Sequence, residues 1–235
     1  MAKKNKEISS SNLIKVKPIT EGQKSVFETW KKGQNQFLFG CAGTGKTFVS
    51  LYLAMQDVLD LKTKYDKVIL VRSLIPTREI GFLPGDEEDK AALYQVPYQN
   101  MVKFMFEQPN EQAFNMLYDR LKNQGSLYFL STSFLRGLTF DNSIIIVDEC
   151  QNLNFHELDT ITTRVGQDSK IVFCGDFSQT DLLKQNEKNG LHDFLRILME
   201  MQEFNCIEFN IGDIVRSGFV RNYLIQKTKL GMGME

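Results

Sequence analysis

The amino-acid sequence predicts one α/β domain, a mostly parallel sheet with helices on both faces, over residues 19–230. Three patterns predict it. Short apolar runs recur at Phe37–Phe39, Val68–Val71, Leu127–Leu130, Ser143–Val147, Ile171–Cys174 and Cys206–Phe209. The clearest, Ser143–Val147, is apolar throughout, as a strand covered on both faces must be. Longer segments with helical spacing lie between them, and that alternation argues for a single sheet wrapped by helices. The third pattern is a glycine loop, Gly40-Cys41-Ala42-Gly43-Thr44-Gly45-Lys46-Thr47, set between the first run and a helical stretch, Phe48–Met55. Strand, G-x-x-x-x-G-K-T loop and helix in that order is the context a phosphate-binding loop requires.

Taken in order, residues 1–18 are polar and lysine-rich and read as a tail or an edge strand. Thr20 and Glu21 open a helix over Gly22–Trp30, and Lys31-Lys32-Gly33 stops it. After the glycine loop and its helix, Thr63-Lys64-Tyr65-Asp66 has the shape of a guanine-selecting motif. It falls before the strand that ends in Asp148-Glu149 rather than after it, so it reads as coincidence. The second run ends at Arg72. Leu74 to Asp86 then holds two prolines and two glycines, which excludes regular structure. Loops at the carboxyl ends of parallel strands are where ligands bind. Residues 87–122 read as helical, broken near Pro97 and Pro109, with Met101, Phe104, Met105, Phe114 and Leu117 as a core-facing stripe. Further helices are expected at Phe155–Val165, Leu191–Glu200 and Ile214–Lys227. No internal repeat or linker interrupts the pattern.

Composition narrows the function. The chain has 235 residues, 42% hydrophobic and 24% charged, with a net charge of −1. Nothing global therefore calls for a polyanion or a membrane surface, and any nucleic-acid contact has to be a local patch. No run reaches transmembrane length, and the basic start Met1–Lys6 has no apolar stretch behind it, so a cytoplasmic protein is expected. Cys41, Cys150, Cys174 and Cys206 stand singly, with no C-x-x-C and no zinc spacing to His156 or His192. They read as reduced thiols that serve packing.

The loop residues Gly40 to Thr47, with Phe48 in the first helical turn, carry the chemistry. Glycines let backbone N–H groups converge on phosphate oxygens, and the helix N-terminus adds partial positive charge there. Lys46 is placed to bridge β- and γ-phosphates, and the Thr47 hydroxyl to hold Mg²⁺. The run Ser143–Val147 ends in Asp148-Glu149. Asp148 is the expected second metal contact, and Glu149 the group that orients or deprotonates an attacking water. Gln179, after the strand ending in Gly175-Asp176, could sense the γ-phosphate. Arg216 could meet transition-state charge in cis or across a subunit boundary, or form a plain salt bridge. Gln23 lies just upstream of the loop, and its amide suits the N6/N7 edge of adenine as well as it suits water. For a single strand, Arg72, Arg78 and Arg136 would neutralise phosphates and Phe82 would stack bases; internal ion pairs are the other reading for Arg72 and Arg136.

Gln23, G-x-A-G-T-G-K-T, Val71-Arg72, Gly81-Phe82-Leu83-Pro84-Gly85-Asp86, Arg136-Gly137-x-Thr139-Phe140, Asp148-Glu149-x-Gln151-Asn152 and Gly175-Asp176-x-x-Gln179 follow one another in an order that resembles the PhoH family. The resemblance covers about residues 18–225, and its Gly-Phe-Leu-Pro-Gly-Asp and Arg-Gly-x-Thr-Phe segments are specific to it. The family usually has Pro where Cys41 stands and Ala where Cys150 stands, small-for-small changes that touch no ligand. The resemblance implies a RecA-like P-loop domain similar to the N-terminal motor domain of superfamily 1 helicases. It implies ATP and Mg²⁺, Gln23 on adenine, RNA or single-stranded DNA as partner, and a homo-oligomer, a hexameric ring in one form. The nuclease domain of some relatives is not expected, since the residues before Gly22 are too few. With a single motor domain, unwinding would need a neighbouring subunit's wall, with Arg216 as the residue it supplies. Two other readings compete with the motor: an ATP-switched binding module with slow hydrolysis, and a small-molecule kinase. Glu149 beside the metal Asp speaks against the kinase, which must exclude water.

Overall fold

The computed structural model describes residues 7–73, 87–132, 135, 137–177 and 190–230. Six strands, β1 (Asn35–Gly40), β2 (Lys67–Arg72), β3 (Leu127–Ser131), β4 (Ser143–Val147), β5 (Lys170–Gly175) and β6 (Phe204–Phe209), form one sheet in the order β3-β2-β4-β5-β1-β6. Every pairing is parallel. Seven α-helices accompany them among the described residues: α1 (Glu21–Lys31), α2 (Lys46–Leu59), α3 (Glu87–Met105), α4 (Glu111–Asn123), α5 (Phe155–Thr162), α6 (Leu191–Glu200) and α7 (Gly218–Lys229).

Alternation along each strand builds two cores from one sheet. Leu38, Val68, Leu70, Ile144, Ile146, Val172 and Cys174 point to a core shared with α1 to α4. Their neighbours Phe37, Phe39, Ile69, Val71, Ile145, Val147, Ile171 and Phe173 point to a second core under α5 and α6. Burying both faces is what the uniformly apolar runs require, and at about 25 cal/mol per Å² of apolar area it supplies the main driving force. A ring cluster, with Phe37, Phe173 and Phe194 mutually 5.1–6.4 Å apart between centroids, fills the second core.

Several boundaries differ from expectation. Residues 7–18 form no strand: Ile8 and Leu13 are buried, the Ile14 N–H donates to the Met105 carbonyl, and the Val16 N–H donates to the Tyr52 hydroxyl. α3 runs through Pro97 without a break, at the cost of the single N–H that proline lacks. Phe104 leaves the expected core stripe; it is 62% exposed and meets Phe48 edge-on. The last helix starts at Gly218, because Asn210 and Asp213 cap a short 3-10 turn and residues 214–217 then run extended against the glycine loop. No helix among the described residues is long and apolar enough to cross a membrane.

Candidate functional site

A cavity of about 690 Å³ opens at the carboxyl ends of β1, β4 and β5, and the glycine loop forms one of its walls. The loop's path is set by contact with β6. Gly40 has φ +123°, and a side chain there would lie 2.0 Å from the Phe209 carbonyl oxygen, so only glycine fits. The Cys41 N–H donates to that same carbonyl. Beyond it, none of the amide N–H groups of residues 42–48 meets an acceptor among the described residues. Unpartnered amides converging at a helix N-terminus form an anion cradle.

Lys46 is buried inside this cradle. Its Nζ lies 2.7 Å from Asp176 Oδ1 and donates to the carbonyls of Gly40 and Cys41 at 3.2 and 2.8 Å. Thr47 Oγ1 donates to Asp148 Oδ1 at 2.7 Å, which brings together the two oxygens expected at the metal. Hard oxygen donors beside an anion cradle are the chemistry Mg²⁺ takes. Glu149 follows in a left-handed conformation, φ +53°, uncommon outside glycine, and this turns its side chain towards the cavity. Burial, and then the negative charges of Asp148 and Asp176, push its carboxyl above the usual range.

The remaining candidates fall as follows. Gln23 lines the cavity with its amide already braced: Oε1 accepts from the Ile19 N–H and Nε2 donates to the Thr44 carbonyl, each at 3.0 Å. One N–H and one lone pair remain on it. Arg216 also lines the cavity, and a Cβ built on Gly43 would sit 2.9 Å from its Cγ, so it lies over its own chain's loop. The sequence allowed cis or trans action and favoured a neighbouring subunit's site; within one chain the contact is with its own loop. Arg72, offered by the sequence to nucleic acid or to an internal ion pair, faces into this same cavity. Its guanidinium packs 5.8 Å from the Tyr94 ring, and Tyr98, Glu149 and Asp148 surround it; burial pulls its pKa down, and those groups more than offset that. Arg78, Phe82, Arg136 and Gln179 lie outside the described residues. The guanine-like segment at 63–66 precedes β2, at the amino ends of the strands and away from the loop, and Thr63 bonds the Asp57 carbonyl there.

Three participants went unassigned in the sequence. Gln151 donates from Nε2 to Glu149 Oε2 at 2.6 Å and accepts the Asp176 N–H at Oε1 at 3.1 Å, so it ties Glu149 to the end of β5. Asp176 pairs with Lys46. Tyr98, from α3, donates to Asp148 Oδ2 at 2.7 Å. Gln151 and Asp176 sat inside quoted motifs, whereas Tyr98 is 50 positions from its partner, with no local signal.

The comparisons with known proteins agree with this geometry. The family model described as "PhoH-like protein" matches residues 15–226. A PhoH-like protein of Synechocystis sp. is 32% identical over 207 residues, 88% of this chain and 60% of that protein. Protein PhoH of Escherichia coli K12 is 30% identical over 206 residues, 87% of this chain and 56% of that one. The chain thus spans little more than half the length of these relatives. Among solved structures, the large terminase of a thermophilic bacteriophage has a similar fold, with a TM-score of 0.51 at 12% identity over 90% of this chain and 50% of that one. From the phosphate loop to the Asp148-Glu149 strand end and the family match over nearly its whole length, this chain belongs to the PhoH family.

Proposed function

We propose that the protein binds ATP with Mg²⁺ in this cavity and hydrolyses it, coupling turnover to RNA or single-stranded DNA as an oligomeric, helicase-like motor. One observation carries the ATPase reading: an unpartnered amide cradle, Lys46, the Thr47–Asp148 oxygen pair and Glu149 all face one cavity. Mg²⁺, held by Thr47 and Asp148, would neutralise phosphate charge. The chain's own residues do the rest. Lys46 exchanges Asp176 for phosphate oxygens. Glu149, held through one oxygen by Gln151, presents the other to a water, and its raised pKa suits it to accept a proton. Arg216 stands in the wall to meet charge that builds up in the transition state. The braced amide of Gln23 keeps one donor and one acceptor for an adenine edge.

The nucleic-acid part of the proposal draws support from α7. Phe219 and Tyr223, 85% and 59% exposed, lie one turn apart on a different side of the helix from Leu224, which packs on Gly43. Residues 216–230 carry Arg216, Arg221, Lys227 and Lys229 and no acid. Exposed rings among cations suit stacked bases and a phosphate backbone. The test is ATP turnover with and without oligo-RNA or oligo-DNA, over a range of protein concentrations. Turnover stimulated by a strand and dependent on concentration supports the motor. Slow turnover indifferent to both leaves an ATP-switched module.

A further inference from the structure

Resting on that nucleotide reading, we infer that Tyr98 is the positioning residue of the metal carboxylate, a support that α3 lends to the site. Asp148 is 8% exposed, and its side chain has a donor on each oxygen: Thr47 at Oδ1 and Tyr98 at Oδ2, both at 2.7 Å. Its own N–H donates to the Val71 carbonyl at 2.9 Å, so the backbone is anchored to β2 as well. With both ends of the carboxylate held, only one rotamer keeps Oδ1 beside the Thr47 hydroxyl, and those are the two oxygens an ion would share. Groups that hydrogen-bond a ligating side chain set its orientation, and their loss typically weakens metal affinity about 10- to 100-fold.

Tyr98 is built for rigidity. It is 1% exposed, and its ring packs 5.8 Å from Phe129 on β3. Its hydroxyl has one proton to give, and that proton goes to Asp148. The lone-pair side of the same oxygen faces Arg72, whose positive charge favours just this donation. Pro97 and Met101, the neighbours of Tyr98 on α3, line the cavity itself. Thus α3 reaches the nucleotide site through Tyr98 as well as covering the core. A tyrosine that merely needed an acceptor for its own buried hydroxyl would leave Asp148 indifferent to its loss.

The variant Tyr98→Phe separates the two roles, because it keeps the ring and removes only the donor. Mn²⁺ binding in the presence of a non-hydrolysable ATP analogue, followed by electron paramagnetic resonance, should weaken at least 10-fold. The Mg²⁺ concentration for half-maximal turnover should rise by a similar factor, while affinity for ADP in excess chelator stays at the wild-type value. Phe129→Leu, which loosens the packing of α3 without touching Asp148, should leave the metal requirement alone. An unchanged or tightened metal requirement in Tyr98→Phe overturns the inference, and so does an equal weakening in Phe129→Leu. Wild-type protein that binds no metal–nucleotide complex would instead remove the ATPase reading beneath it.

Discussion

Replacing Glu149 by Gln isolates the chemical step from everything that surrounds it. The carboxylate is held by one bond, from Gln151 to Oε2, and Oε1 has no protein partner among the described residues. A glutamine can turn its carbonyl oxygen to Gln151 and keep that bond, so the local structure should survive. What it loses is the ability to take a proton. General base catalysis contributes on the order of 10²- to 10⁴-fold, and the lower bound corresponds to about 2.7 kcal/mol of barrier at 1.36 kcal/mol per decade. ATP–Mg²⁺ binding should be retained while the single-turnover rate falls by at least that factor. Stability supplies a second reading. Burial beside Asp148 and Asp176 raises the Glu149 pKa above its unfolded value. The folded state then holds the proton more tightly, so stability from this group is full below the unfolded pKa and lost as pH rises through the folded one. At neutral pH the wild type bears that cost and Glu149→Gln does not, so the variant should melt no lower than wild type. In wild type the rate should fall as acid protonates Glu149, an acid limb the variant lacks. A variant that turns over at the wild-type rate, or one that melts well below it, refutes the assignment of Glu149 as a base.

Other residues make independent tests. Lys46→Ala should abolish ATP binding measured by titration calorimetry while leaving the circular dichroism spectrum intact, because Asp176 is 40% exposed in its side chain and can be hydrated once unpaired. Arg216→Ala should cut turnover by on the order of 10³ with little change in ATP affinity, and mixing it with Lys46→Ala should restore nothing, since Arg216 covers its own chain's loop; rescue in the mixture would move the arginine to a neighbouring subunit's site. Phe219→Ala with Tyr223→Ala should weaken oligo-RNA or oligo-DNA binding, at about 1–3 kcal/mol per lost stack, without changing basal turnover; unchanged binding would place the strand elsewhere. Lys170, 2% exposed, donates to the Trp30 carbonyl and lies 4.1 Å over the Trp30 ring, and burial lowers its pKa to about 8. The unfolded chain keeps that proton up to about pH 10.4, so wild-type stability relative to Lys170→Met should rise between pH 8 and 10, and a flat difference in chemical denaturation would show the lysine is not buried as a cation.

Much of the fold was legible because its signals are local. A strand buried on both faces has to be apolar throughout, and Ile144–Val147 declares itself for that reason. The loop declares itself because a phosphate cradle needs glycine at Gly40, Gly43 and Gly45, all at positive φ. Asp148 and Glu149 follow from their place at a strand end. Less was legible where a residue's role depends on what the fold brings to it. Arg72 read as easily as a nucleic-acid contact as an internal partner, and only the fold, which brings Tyr94 and Tyr98 of α3 and the acids at the end of β4 to it, shows what surrounds it. Ile8 and Leu13 sit in a lysine-rich stretch whose composition hid two core residues. Pro97 stood as a helix breaker because propensity ignores the packing that holds α3 together on either side.

Four residues of the site form a continuous path of contacts. Lys46 contacts the Asp176 carboxylate, the Asp176 N–H contacts Gln151, and Gln151 contacts Glu149. On the proposed reading, the path would run from the phosphate-binding lysine to the group that activates water. Its first link is the one nucleotide has to break, because Lys46 cannot satisfy Asp176 and phosphate oxygens equally. Losing Lys46 leaves Asp176 negative and half-exposed beside Glu149, whose pKa it already raises. The lysine's departure therefore makes Glu149 a stronger base when phosphate is present, in the direction hydrolysis needs. Arg72, which lines the same cavity and pulls the Glu149 pKa down, limits that effect. On the proposed ATPase reading, a base whose strength rises when the phosphate site is filled would favour hydrolysis once ATP is bound.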